Sequence, residues 1–224
     1  STDGFIMSLS KETQQKKDFH HIQEIISQGM PVVMFDRVTN DVFCDKVIID
    51  DQQAAFDAVQ FFIEHRFKKI ALITTVDYVS VGKLRTDGYK KALKLNNIEV
   101  NEDLIIKIED IENCSIKIEN LIKSQKCDAI FAVNELFAVT AIKIAAKNNL
   151  KVPEDISVIG FTDGIISQFS TPSISTVSQN GIKMGRKAAQ MLIDRLELED
   201  EEDEHYKTEI IETNLIIRES TTTK

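Results

Sequence analysis

Short apolar runs alternate along this chain with longer stretches whose apolar residues recur at three- and four-residue spacing. Residues 4–9 (GFIMSL) read as a buried strand. Residues 17–29 read as a helix, with Phe19, Ile22, Ile25 and Ile26 on one face and Gly29 as its stop. A second strand at 31–36 (PVVMFD) is apolar on both faces, and 46–49 is a shorter third. Helix 54–65 follows, carrying Ala55, Val59, Phe62 and Ile63 on one side, then strand 69–74 (KIALIT). Helix 85–95 opens near Asp87 and Gly88. Strand 104–108, helix 116–124, strand 129–133 (AIFAV), helix 135–148 and strand 158–161 continue the alternation. Helix 182–198 and closing strands within 209–217 complete it.

Apolar strands alternating with amphipathic helices predict βαβ units and a parallel sheet covered on both faces, an α/β fold. Ligands of such sheets sit outside the carboxyl ends of the strands. Here those ends gather polar residues while the strands stay apolar: Ser8, Asp36, Arg37, residues 74–78, Asn134, Glu135, Thr162 and Asp163.

Charge narrows the function classes. The 224 residues carry 27 Lys and Arg against 36 Asp and Glu, a net charge of −9. A chain this acidic is poorly suited to neutralising phosphates over a broad face, so it is not expected to bind nucleic acid by itself. Cys44, Cys114 and Cys127 are odd in number and far apart, which fits a reducing cytoplasm and apolar packing. No Cys or His pair has zinc-ligand spacing, and the adjacent His20 and His21 read as solvated. Residues 197–204 (ELEDEEDE) carry seven carboxylates and read as a solvated loop, without the glycine and ligand spacing of a calcium site. Residues 219–224 read as a disordered tail. The uncharged apolar runs are too short to span a bilayer, and the N-terminus has no signal-like pattern. There is no G-x-x-x-x-G-K-[ST], no G-x-G-x-x-G and no G-x-S-x-G. Nothing in the pattern asks for a metal, a cofactor or a catalytic residue.

Seven stretches, in order, carry a resemblance to a known family. They are Asp3-Gly4-Phe5-Ile6; residues 29–37 (GMPVVMFDR); Val47-Ile48-Ile49-Asp50-Asp51 with Ala54-Ala55 and residues 69–73 (KIALI); Leu84-Arg85-Thr86-Asp87-Gly88-Tyr89; residues 129–136 (AIFAVNEL); residues 152–161 (VPEDISVIGF); and residues 172–179 (PSISTVSQ). They span nearly the whole chain, which resembles the effector-binding part of the lactose-repressor (LacI) family of bacterial transcription regulators. The resemblance implies a periplasmic-binding-protein-like fold of type I. Two Rossmann-like lobes with parallel sheets would be joined by three crossing segments, near 47–51, 176–180 and 206–211, with an effector in the cleft. The N-terminal lobe would comprise 1–48 and 179–207, the C-terminal lobe 49–178 and 208–218, and 219–224 the tail.

By match to the family motifs, the effector contacts would be Asp36, Arg85, Asn134 and Gln179, with Phe35 as an apolar wall. Arg85 offers a fork of five donors, Asp36 accepts paired hydroxyls, and Asn134 both donates and accepts. A cation near a helix N-terminus opposes the dipole, which favours a ligand role for Arg85. Asn134 also stands where a helix N-cap is expected. The chain departs from the family pattern in three places. Thr162 stands where the family usually has Asp, with the carboxylate displaced to Asp163, so Thr162 and Asp163 join the candidate contacts. Glu135 follows Asn134 in place of Asp, and the glycine expected after the 54–64 helix is replaced near Arg66. The ligand classes left open are an oligosaccharide, a sugar acid held by Arg85, and a nucleobase.

The resemblance further implies a small sugar-like effector, a homodimer and allosteric control of operator DNA. That control would act only through a helix-turn-helix domain, which is not in this sequence. It also implies further βα units ahead of residue 4, so the N-terminal lobe is expected to be incomplete, with strand 4–9 at an open edge. Two rivals share the fold class: a periplasmic sugar-binding protein of a transporter, and an α/β enzyme acting on a sugar or nucleotide. The N-terminus argues against the first and the missing nucleophile and cofactor cradle against the second.

Overall fold

A computed structural model describes residues 2–125, 127–198 and 205–222. The first half of the chain contains β1 (Phe5–Met7), α1 (Lys11–Lys16), α2 (His20–Ser27), β2 (Val32–Phe35), β3 (Asp45–Ile49), α3 (Asp51–Glu64), β4 (Ile70–Thr75), α4 (Ser80–Leu95) and β5 (Ile105–Ile108). The second half contains α5 (Ile111–Gln125), β6 (Ala129–Ala132), α6 (Glu135–Lys147), β7 (Ser157–Phe161), α7 (Ile165–Phe169), β8 (Ser175–Ser178), α8 (Gly181–Leu196), β9 (Thr208–Ile211) and β10 (Asn214–Ile216).

These elements form two compact units. Unit 1 comprises the described residues of 1–50, 78–81 and 180–212, and unit 2 those of 51–77, 82–179 and 213–224. Unit 1 has a parallel sheet in the order β1-β2-β3-β9. Its core joins Leu9, Phe19, Ile22, Val32, Met34, Val42 and Cys44. Gln14, buried at 7%, accepts both the N–H and the hydroxyl of Ser80 and so ties residues 78–81 into this unit. Unit 2 has the order β10-β8-β7-β6-β4-β5, parallel except for β10 against β8. Every residue of β6 and β7 is buried, as a parallel strand covered on both faces requires. Phe62, Leu72, Ile73, Tyr89, Ile118, Ile130, Phe131 and Phe161 fill this core. Tyr89 donates its hydroxyl to the Ile70 carbonyl at 2.8 Å, and burial raises its pKa above the ordinary value. The three thiols are buried, and burial pushes Cys127 up to about 11.

Two sequence expectations are corrected. The last crossing was placed at 206–211, but Thr208–Ile211 pairs with β3 in unit 1, so the passage lies at 212/213 rather than 207/208. The passages expected near 47–51 and 176–180 fall at 50/51 and 179/180, and residues 78–81 add a short excursion into unit 1. The tail is built into unit 2 through residue 222. Ser220 is fully buried, exchanging bonds with Val158: its carbonyl accepts the Val158 N–H at 2.8 Å and its hydroxyl donates to the Val158 carbonyl at 2.6 Å. The Ser175 N–H donates to the same hydroxyl, and Glu219 accepts the N–H and hydroxyl of Ser173. Serine and threonine side chains here complete the ladder that a strand would otherwise supply. Residues 199–204 of the acidic run, and 223–224, lie outside the described residues. His20 and His21 are both exposed.

The periodicity missed the short elements α1, α7 and β8, and the helix expected over 17–29 begins only at His20, because Lys17 ends α1 in a left-handed conformation (φ 52°). Arg66 takes the same conformation (φ 62°) after α3, which gives a physical reason for the glycine the resemblance leads one to expect there: glycine adopts it without a Cβ penalty.

Close approach, rather than conformation, fixes Gly88. A Cβ there would overlap the Gln52 carbonyl oxygen and crowd the Ala55 side chain where α4 crosses the start of α3. Gly185, in the exposed face of α8, has no heavy atom within 4 Å of such a Cβ. Gly88→Ala is therefore expected to destabilise the fold by about 1–3 kcal/mol through overpacking. Gly185→Ala should stabilise it by roughly 0.5–1 kcal/mol through helix propensity. Urea unfolding of the two variants checks both signs.

Candidate functional site

The strand order of unit 2 reverses at β4, with β5 on one side and β6 on the other. Connections leaving the carboxyl ends of β4 and β6 diverge, and this switch point is where open α/β sheets bind ligands. Around it the sequence places α4 directly after β4, and Asn134 directly after β6.

Arg85 lies in the second turn of α4, because that helix begins at Ser80. This corrects its expected place at a helix N-terminus. It is only 5% exposed. Its Nε donates to Asp51 Oδ1 at 2.7 Å and its Nη1 to the Val133 carbonyl at 2.7 Å. Its guanidinium carbon stands 3.5 Å from the centre of the Phe161 ring, a cation–π contact. Asp51 is the first residue of α3 and is 3% exposed, so its charge also faces the favourable end of a helix dipole. Two buried charges persist only as a pair, and removing one partner typically costs about 3–5 kcal/mol.

Asn134 performs the expected cap: its Oδ1 accepts the Phe137 N–H at 2.8 Å. Its amide nitrogen has no hydrogen-bond partner among the described residues. Glu135 turns to the neighbouring loop, where its Oε1 accepts the N–H of Gly164 at 2.6 Å and of Ser167 at 3.0 Å. A Cβ on Gly164 would overlap that carboxylate, so a side chain there would require the Glu135 head group to shift.

Thr162, just past β7, is held at φ 76°, a costly conformation for a β-branched residue. Bonds on every side fix it. Its N–H donates to the Val177 carbonyl at 2.9 Å, and its carbonyl accepts the Thr176 and Ser167 hydroxyls. Its own hydroxyl donates to Gln179 Oε1 at 2.7 Å. Asp163 Oδ1 accepts Arg218 Nη2 at 2.6 Å, and Arg218 Nη1 donates to the Ile174 carbonyl. The structure thus brings together Arg85, Asn134, Thr162, Asp163 and Gln179 around the ends of β6, β7 and β8. Phe35 and Asp36 belong to unit 1. Phe35 is half-buried and pairs in register with Val47. Asp36 takes φ 59°, donates its N–H to the Val47 carbonyl and lies 3.7 Å from Arg37 Nε. The Arg37 N–H and Nε both donate to Ser8 Oγ at 3.4 Å.

Periodicity gave no sign of Asp51, Phe161 or Arg218 as parts of the site. The acid at the start of α3 was a visible signal, but its partner lies 34 residues away.

The sequence profile of the periplasmic binding protein-like domain matches residues 59–221. The chain belongs to this family, on its LacI-regulator branch. The regulator MalR of Clostridium butyricum is 37% identical over 180 residues, covering 80% of this chain and 52% of that protein. The repressor PurR of Haemophilus influenzae (strain PittEE) is 29% identical over 224 residues, covering 97% and 64%. The solved complex of the transcriptional regulator CelR with cellobiose superposes with a TM-score of 0.84 at 26% identity, covering 98% of this chain and 66% of that one. The LacI-type domain thus spans between half and two thirds of the length of these curated relatives. Among the described residues, no helix is long and apolar enough to cross a membrane.

Asp51→Ala is expected to destabilise the LacI-type domain by about 3–5 kcal/mol, since it strands Arg85. The double change Asp51→Leu with Arg85→Met should cost less than Asp51→Ala alone. Chemical denaturation of both decides; a single-variant loss below about 1 kcal/mol would match an exposed pair instead.

Proposed function

We propose that this chain is the effector-sensing region of a LacI-type transcription regulator. A small sugar or related polar metabolite is bound at the strand ends of unit 2, with Asn134, Thr162 and Gln179 as contacts beside the Arg85 platform. Asp163 acts there through its pair with Arg218, and Phe35 and Asp36 stay in the proposal on the family match alone. The observation that carries this reading is the gathering of Arg85, Asn134, Thr162 and Gln179 around the ends of β6, β7 and β8, beside the switch point of a parallel sheet. The regulators that resemble the chain support it, the one solved with cellobiose among them. They favour neither a transporter's binding protein nor an enzyme.

In the intact regulator, effector binding would favour one conformational state and a DNA-reading domain would respond, with a coupling typically of about 1–3 kcal/mol. Two copies are proposed to act together in the cytoplasm. The short helix α7 supports the pairing, since Ile165 and Phe169 are 77% and 80% exposed.

Thermal unfolding against a panel of sugars, sugar acids and nucleobases tests the reading. A ligand at 100 times its Kd should stabilise the chain by about 2.7 kcal/mol. With the ligand in hand, Asn134→Asp keeps the oxygen that caps α6 but loses the amide donors. It is expected to leave the urea midpoint nearly unchanged and weaken binding by about tenfold, or ~1.4 kcal/mol. Full affinity in that variant would remove Asn134 from the contacts, and silence across the whole panel would count against the effector reading.

A further inference from the structure

The ionised side chains at the carboxyl ends of β4, β6, β7 and β8 are engaged within unit 2. Asp77 pairs with Lys107, Asp163 with Arg218, and Arg85 with Asp51, while Glu135 accepts two backbone N–H groups. Lys83, in the first turn of α4, is exposed to solvent, where an ion pair is worth little. We infer that this site takes an uncharged, hydroxyl-bearing ligand and turns away its ionised counterparts, the uronates and sugar phosphates. The inference rests on the effector reading above and adds the charge class of the ligand.

Arg85 is the residue an anionic ligand would seek. To bind it, the anion would have to draw it away from Asp51 and leave a carboxylate that is 3% exposed without its counter-charge. If Asp51 stayed in place, the anion would instead enter beside a fixed negative charge in a poorly screened site. The guanidinium is also pinned against the Phe161 ring and the Val133 carbonyl, so it cannot swing out to meet a ligand without losing both. A cationic ligand meets the same obstacle at Asp163, whose partner Arg218 is fixed in turn by the Ile174 carbonyl. Apart from the exposed Lys83, what unit 2 offers in the open at its strand ends is neutral. The Asn134 amide nitrogen lacks a partner among the described residues, and the Thr162 hydroxyl and Gln179 amide form an uncharged pair. Hydroxyl groups match such partners as donors and acceptors, and sites of this kind reject analogues that leave a polar partner unmatched.

Matched ligands test the inference on the whole 224-residue chain at fixed ionic strength. Glucose is set against glucuronate, galactose against galacturonate, cellobiose against cellobionate and ribose against ribose 5-phosphate, by thermal shift and calorimetry. Inorganic phosphate is titrated alongside as a bare anion. The expected result is binding of at least one neutral member, at least tenfold weaker binding of its anion, and no saturable response to phosphate. A tenfold preference for an anion, or a saturable phosphate response that Arg85→Met abolishes, would overturn the inference. Silence from every ligand would sink the effector reading and with it this inference, whereas a saturable response to an anion with its neutral partner silent would overturn the charge inference and leave the effector reading standing. Asp51→Asn adds a gain-of-function check: with the carboxylate charge gone, Arg85 should acquire a saturable phosphate response that the native chain lacks. Should that variant fail to fold, the native-chain comparison still decides.

Discussion

An arginine buried beneath the ends of a parallel sheet has to be neutralised where it lies, and the pair it forms with Asp51 organises everything around it. The pair joins the first residue of α3 to the second turn of α4. Through Nη1 the same guanidinium closes the end of β6, and through its flat face it seats Phe161 at the end of β7. Four elements converge on one cation. The close crossing of α3 and α4 at Gly88 brings the acid within reach, and a larger residue there would push the two helices apart. Packing and electrostatics therefore depend on each other: the crossing sets the distance, and the burial makes the pairing obligatory.

From that anchor the strain at Thr162 becomes intelligible. Its left-handed backbone follows directly on Phe161, which the Arg85 stack holds in place. The bonds to Val177, Ser167, Thr176 and Gln179 then leave it no relaxed alternative. Glu135 and Gly164 lock the far side of the same loop. Strain of this kind persists where the surroundings over-determine it. As a proposed contact, a residue held so firmly would give up little conformational freedom on binding, which is the advantage of preorganisation.

Much of the framework was legible in the sequence, because burial on both faces of a parallel strand writes continuous apolar runs, as in AIFAV and KIALIT. Asn134 was legible as a cap because capping is local, needing only a side-chain oxygen and an N–H three residues on. Arg85 stood out as a cation near a helix N-terminus, a place the structure corrects, and its actual setting was not legible. The acid that pairs with it is remote in sequence, and no periodicity links the two. The short elements α7 and β8 escaped for a different reason. Their formation depends on Glu135 and on the strand beside them rather than on a repeat of their own.

The end of the chain shows the limit of composition most clearly. A run of glutamate, serine and threonine reads as a mobile tail when polarity is the only measure. Yet Ser220 is fully buried and occupies the place of a strand residue against Val158, while Thr221 meets the Ser175 hydroxyl. Small hydroxyl side chains can satisfy a sheet's open donors and acceptors at close quarters, where a larger apolar residue would leave them unpaired. This anchorage also fixes Arg218, two residues earlier, and with it the charge of Asp163. The neutralisation of Asp163 at the strand ends thus depends on the polar end of the chain as much as on the core. A segment that looks dispensable by composition sets the electrostatics of the loop that carries Thr162.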